Sequence, residues 1–109
     1  MDIEIKDYSG MKVIAPSGDI DMHTSPELRR TIMLFVNEKV PVLFVDFKDV
    51  SYIDSSGIAT FVEGLKGMML YGGKLKFLDI PEGIMEIFSF SKLNKVFEIY
   101  KNMDDATKG

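Results

Sequence analysis

The residues best suited to chemistry lie in Asp54-Ser55-Ser56-Gly57, a carboxylate, two hydroxyls and a glycine in four positions. A hydroxyl beside a carboxylate can cap a helix, carry a phosphoryl group, or attack a carbonyl if a base stands by, and each use needs different neighbours. A second polar set, Asp19, Asp21 and His23, comes earlier and alternates as in a loop. As a helix cap, either serine would accept a backbone N–H bond worth about 1 kcal/mol. A phosphate at the same place would meet the positive end of a helix and its unpaired N–H groups. It would add about −1.5 to −2 charge and three acceptor oxygens, beside Asp54 and near Asp19 and Asp21. The two uses are compatible, and the stretch reads as a switch: a serine that carries phosphate or does not.

A hydrolase built on Ser55, His23 and an aspartate fits less well. A nucleophile elbow flanks its serine with glycines, whereas here Asp54 precedes two serines and its charge would oppose an oxyanion. His23 is better read as a surface loop residue. A calcium loop begun at Asp19 needs glycine sixth and glutamate twelfth, and the chain has Thr24 and Arg30 there. Asp19, Asp21 and His23 are therefore expected at a partner surface, with no metal and no cofactor held by the chain. Gly64, Gly67, Gly72 and Gly73 fall inside or after a helical stretch, so neither a P-loop nor a dinucleotide fingerprint applies. Close helix packing accounts for them, and methionines such as Met33, Met68, Met69 and Met85 read as core filler.

The elements that must hold these groups follow from periodicity. Ile3 to Lys6 and Met11 to Ala15 alternate about a Tyr8-Ser9-Gly10 turn, the pattern of a hairpin, with Pro16 and Gly18 expected to end its second strand. A helix begins near Thr24-Ser25-Pro26-Glu27, where Thr24 with Glu27 has capping-box spacing and Pro26 favours Ser25 as cap. Its apolar face is Leu28, Ile32, Phe35 and Val36. Val40 to Phe47 is almost continuously apolar, as in a parallel strand covered on both sides. After the serine turn, Ile58, Phe61, Val62, Leu65 and Met69 form one helix face, and Gly72-Gly73 stops that helix. Lys74 to Leu78 is a further strand, Pro81-Glu82-Gly83 opens a short helix, and Ser91 to Asn94 is a turn or one more helical turn. Val96 to Tyr100 reads as a last strand, and Met103 to Gly109 as a frayed helix. The sum is α/β: one domain over 1–109, a small mixed, mostly parallel sheet with an antiparallel edge hairpin, packed with helices. Right-handed crossovers then gather the Asp19–His23, Asp54–Gly57 and Asp79–Gly83 loops at the carboxyl edge of the sheet.

Composition narrows the partners. At 109 residues, 46% hydrophobic and 28% charged, the chain is long enough for one real core. A formal charge of −4 without any Lys/Arg run argues against nucleic acid or an anionic membrane as the main partner. The absence of cysteine removes disulfides, thiolate metal sites and thiol catalysis. Met1-Asp2-Ile3-Glu4 has neither the basic nor the apolar part of a secretory leader, and no apolar run approaches a membrane span. A cytoplasmic location is expected.

At Ser51-Tyr52-Ile53-Asp54-Ser55-Ser56-Gly57-Ile58 the chain resembles the bacterial anti-sigma factor antagonists of the STAS domain family. The resemblance extends to Gly18-Asp19-Ile20-Asp21, Val45-Asp46-Phe47, Gly72-Gly73 and Lys95-Val96-Phe97-Glu98-Ile99, and so runs over nearly the whole chain. It departs in the short segment after Tyr100 and at Ser91-Lys92, where a glycine-containing turn is more usual. The resemblance implies a non-enzymatic partner switch. In that family an anti-sigma factor, itself a serine kinase, modifies the first serine after the aspartate, which here is Ser55. The unmodified antagonist binds the anti-sigma factor and frees the sigma factor, and a metal-dependent serine phosphatase reverses the modification. ATP and metal then belong to those partners, and Asp19, Asp21, His23, Asp54, Ser56, Gly57 and Ile58 would form the docking surface. Two other uses are consistent with the residues: a STAS-domain scaffold in another assembly, such as stress signalling or lipid transport, and, from a different class, a small serine hydrolase.

Overall fold

The computed structural model describes residues 1–108; Gly109, the end of the tail expected as a frayed helix, lies outside the described residues. In chain order the elements are β1 (Asp2–Tyr8), β2 (Met11–Ile20), α1 (Ser25–Asn37), β3 (Val42–Asp46), β4 (Val50–Ile53) and α2 (Ser55–Met69). They continue with β5 (Lys74–Leu78), α3 (Glu82–Phe90), a 3-10 turn at Leu93–Lys95, β6 (Glu98–Tyr100) and α4 (Met103–Lys108). The sheet runs β1-β2-β3-β5-β6, with β4 paired to β2; β1 and β2 are antiparallel and every other pair is parallel. This is the mixed α/β architecture expected from the alternation of strand and helix.

β2 departs from expectation by running past Pro16 and Gly18 to Ile20. Pro16 falls between the stretch of β2 that pairs with β3 (Lys12–Ile14) and the stretch that pairs with β4 (Gly18–Ile20), so its missing N–H breaks no ladder. Gly18 (φ 87) lies at a register shift where the strand bends without ending. β4 itself was not anticipated, and the third strand is shorter than Val40–Phe47, closing at Asp46.

One face of the sheet carries α1, α2 and α3 over Ile14, Leu43, Val45, Leu75 and Phe77. Phe47, Phe61, Phe77 and Phe88 are fully buried there, and Phe77 and Phe88 also meet Phe97, with ring centroids 4.6 Å apart for the stacked Phe77–Phe97 pair. On the other face Val13, Phe44 and Leu78 are covered by Ala106 of α4. Lys76, buried in β5, donates its Nζ to the Ala106 carbonyl at 2.9 Å and lies over the Tyr100 ring. The polar tail is thus a helix docked by Ala106, with Met103 of the same helix packed against that cluster.

The buried side of α2 is only partly the one its large apolar residues mark. Gly57, Thr60, Phe61, Gly64 and Met68 are buried, Ile58, Val62 and Leu65 are half-buried, and Met69 is 66% exposed. Small residues win because α2 lies close to α1: a Cβ at Gly64 would stand 2.7 Å from Ile32 Cγ2, and one at Gly67 2.9 Å from Val36 Cγ1. Gly72 (φ 81) supplies the left-handed residue after this helix. Lys92 takes φ 62, the conformation for which a glycine would be usual.

Candidate functional site

β4 carries the chain to the site. It runs parallel to the far end of β2 with Gly18 opposite Val50, Asp19 opposite Tyr52 and Ile20 opposite Ile53. At Asp54 the backbone is still extended (φ −111, ψ −173), and its N–H donates to the Ile20 carbonyl at 3.1 Å before α2 begins. Asp54 Oδ1 accepts from the N–H of Ser56 at 2.9 Å, the N–H of Gly57 at 3.2 Å and the hydroxyl of Ser56 at 2.6 Å. The helix cap is therefore the aspartate, not a serine. An extended residue directly before the helix, bearing a charged acceptor, is better placed for those donors than a hydroxyl already inside the first turn. The Ser56 hydroxyl is the largest influence holding the Asp54 carboxyl below its ordinary pKa. Partial desolvation opposes it, and the N–H groups of Gly57, Ser56 and Met22 assist.

The two serines consequently differ. Ser56 is half-buried with its hydroxyl spent on Asp54. Ser55, the first helical residue, is exposed, and among the described residues its Oγ makes no hydrogen bond. The expectation that unpaired N–H groups wait at this helix end needs correction: Asp54 takes those of Ser56 and Gly57, and its carbonyl accepts from Ile58 at 3.0 Å. Gly57 is buried because there is no room for a side chain; a Cβ would approach Ile20 Cγ2 and Ile53 Cγ1 to 2.7 Å each. Ile58 is half-buried against the core.

The neighbouring loop is organised by Asp21, whose Oδ1 accepts from the N–H groups of His23 at 2.9 Å and Thr24 at 3.1 Å. Thr24 Oγ1 accepts from Asp21 N–H and donates to the Asp19 carbonyl, both at 2.9 Å. That hydroxyl is turned back into the loop, so the capping box with Glu27 does not form, although Thr24 is the residue before α1 and Pro26 lies in its first turn. Asp19 and His23 are exposed. Strand pairing and the Asp54–Ile20 bond bring Asp19, Asp21 and His23 beside Asp54–Ile58. The Asp79–Gly83 loop reaches this surface at Tyr52 of β4. Pro81, Gly83 and Ile84 of that region line a groove with Lys48, Val50 and Tyr52.

Two further residues belong to this surface. Met22 is 69% exposed between Asp21 and His23, and Tyr52 is 48% exposed opposite Asp19. Their signal in the sequence is faint: a large apolar side chain at a loop tip, and another at an outward position of a four-residue strand. A groove continues from Ser55 along α2 past Ile58, Ala59, Val62 and Glu63, where Arg29 of α1 forms an ion pair with Glu63. No hydrogen bond joins Ser55 to His23, and among the described residues no group of three or more His, Asp or Glu gathers as a metal site. No described helix is long and apolar enough to cross a membrane.

The STAS domain profile matches residues 2–106. The chain belongs to the STAS domain family. This STAS domain is 28% identical over 108 residues to the anti-sigma-B factor antagonist of Listeria monocytogenes, covering 98% of this chain and 94% of that one. Among solved structures it is similar to an anti-sigma factor antagonist from Mycobacterium paratuberculosis, with a TM-score of 0.88, 25% identity, and 98% and 91% of the two chains covered. The phosphorylated form of the Bacillus cell fate determinant SpoIIAA shares the fold at a TM-score of 0.74 and 19% identity, over 98% of this chain and 97% of that one.

Proposed function

We propose that this STAS domain is an anti-sigma factor antagonist controlled by phosphorylation of Ser55. Unmodified, it docks on an anti-sigma factor that is a serine kinase and so releases the sigma factor; phosphate on Ser55 prevents docking, and a serine phosphatase restores it. The observation that carries this reading is the difference between two adjacent serines, one exposed with its hydroxyl free and one spent on the helix cap. Asp19, Asp21, His23, Asp54, Ser56, Gly57 and Ile58 form or support the docking surface, with Met22 and Tyr52 supplying its apolar contacts. A dianion in the middle of that surface must be desolvated and faces Asp54 nearby. A penalty of about 3 kcal/mol weakens binding by about two orders of magnitude.

The test uses the cognate kinase-type anti-sigma factor with ATP and magnesium. Peptide mass spectrometry should find one phosphate on Ser55, absent in Ser55→Ala and retained in Ser56→Ala. Calorimetry should find the phosphorylated form binding about a hundredfold more weakly than the unmodified one. Phosphate on Ser56, or equal affinity of the two forms, overturns the reading.

A further inference from the structure

β1 closes the sheet order on one side, so the main-chain groups it does not direct at β2 are open to another strand. Which groups these are follows from the hairpin. Ser9 (φ 51) and Gly10 (φ 83) make a two-residue turn of the primed kind. The flanking register partners Tyr8 and Met11 therefore exchange hydrogen bonds. Counting back by twos, Asp2, Glu4 and Lys6 direct their N–H and C=O groups at β2, in keeping with the bond from Ser17 Oγ to the Asp2 carbonyl. Ile3, Ile5 and Asp7 direct theirs outward. Ile5 is 49% exposed, an apolar side chain in the middle of this edge. The Glu4 and Lys6 side chains, 68% and 47% exposed, share the opposite face.

We propose that β1 pairs antiparallel with β1 of a second copy of this chain, about a two-fold axis at Ile5, continuing the sheet across a dimer. In that register Ile5 meets Ile5 as a hydrogen-bonded pair. Each Glu4 then stands opposite Lys6 of the second copy, and each Lys6 opposite Glu4, as non-hydrogen-bonded pairs, whose side chains lie closest. Sliding one step either way keeps the hydrogen bonds possible but opposes Glu4 to Glu4 or Lys6 to Lys6. Charge thus selects one register on a strand that could otherwise slip. Asp7 meets Ile3 of the second copy with its charge already answered by Lys12 Nζ at 2.7 Å. A single seven-residue edge pairing buries less than the roughly 1,000 Å² of a stable interface, so the dimer is weak and reversible. It shares no residue with the Ser55 surface and does not depend on phosphorylation.

Sedimentation equilibrium of the whole chain, at concentrations rising to the order of 1 mM, tests this. The wild type should dimerise reversibly. Glu4→Lys and Lys6→Glu should each weaken the dimer by roughly tenfold. An equimolar mixture of those two variants should associate again, because each then presents the other with opposite charges, and the doubly swapped Glu4→Lys/Lys6→Glu chain should dimerise like the wild type. Ile5→Pro removes the outward N–H at the axis while sparing the bonds to β2, and should be monomeric with an unchanged circular dichroism spectrum. A wild type that stays monomeric throughout overturns the proposal. So does association that ignores the charge changes, which would place the contact on another surface such as the one around Phe90.

Discussion

Replacing Gly57 with alanine probes how α2 is seated and, through it, how Ser55 is presented. The added Cβ would lie 2.7 Å from Ile20 Cγ2, 2.7 Å from Ile53 Cγ1 and 3.2 Å from the Ile20 carbonyl oxygen. Neither side chain can swing out to solvent, since Ile20 and Ile53 are 0% and 1% exposed, and the carbonyl is pinned by the Asp54 N–H at 3.1 Å. The start of the helix must lift. Overpacking of this kind costs about 1–3 kcal/mol. Alanine regains at most about 1 kcal/mol over glycine in a helix interior, and less in the first turn. The expected net loss is about 2 kcal/mol, a fall in melting temperature on the order of 10 °C. Two other glycines calibrate the reasoning within the same protein. A Cβ at Gly64 meets a single side-chain atom, Ile32 Cγ2 at 2.7 Å, which can yield more easily than a pinned carbonyl, so Gly64→Ala should lose about 1 kcal/mol. A Cβ at Gly83 meets nothing within 4 Å, so Gly83→Ala should be neutral or gain up to about 1 kcal/mol. Urea unfolding followed by circular dichroism should rank Gly83→Ala, Gly64→Ala and Gly57→Ala in falling order of stability. A Gly57→Ala protein as stable as the wild type, or more stable than Gly64→Ala, would refute the close-approach account.

The Asp54 carboxyl is held below its ordinary pKa chiefly by the Ser56 hydroxyl, so its contribution is present above the unfolded carboxylate pKa and disappears as pH falls through the folded value. The stability gap between wild type and Asp54→Ala should accordingly be flat near neutrality and close in acid; a gap that persists unchanged in acid would mean that charge is not what caps the helix. Phe77 contacts Phe47, Phe61, Phe88 and Phe97 at the centre of the core, and Phe77→Ala should lose about 3–5 kcal/mol. Phe90, 93% exposed, should tolerate alanine within about 0.5 kcal/mol by the same denaturation assay. Lys76→Met removes the bond to the Ala106 carbonyl, and should cost about 1–2 kcal/mol and speed amide exchange across α4; unchanged exchange there would show that the lysine does not hold the helix down.

The hairpin, α1 and its buried face, the left-handed glycine after α2 and the parallel core strands were legible because each depends on neighbours in sequence. β4 was not. Val50–Ile53 has outward residues at its two central positions and gains its identity from a pairing with β2 that exists only beyond the bend at Gly18. The buried face of α2 was only partly legible for a related reason: periodicity finds Phe61 with Ile58, Val62 and Leu65 beside it, but glycine carries no weight until the facing helix is in place. The cap was misassigned because hydroxyl and carboxylate are both good N-cap residues, and only the extended backbone at Asp54 separates them. Each miss concerns information held by a distant segment.

These corrections change how a phosphate on Ser55 would act under the proposed switch. With free N–H groups at the helix end, a dianion could settle into the first turn and reorganise it. Here Asp54 already engages the N–H groups of Ser56 and Gly57 and the Ser56 hydroxyl, and displacing that carboxylate would give up three bonds to gain similar ones. Two anionic groups competing for one set of donors favour leaving the incumbent in place. The phosphate is then expected to remain solvated at the rim, drawn by the helix end but held off by Asp54. Its effect falls on whatever docks against Met22, Tyr52 and Ile58 rather than on the fold. Amide spectra of the two forms should therefore differ around residues 20–24 and 52–59 and coincide through α1, β5 and α4. Shifts spreading across the core would mean that the phosphate had taken the cap for itself and that the switch works by moving α2.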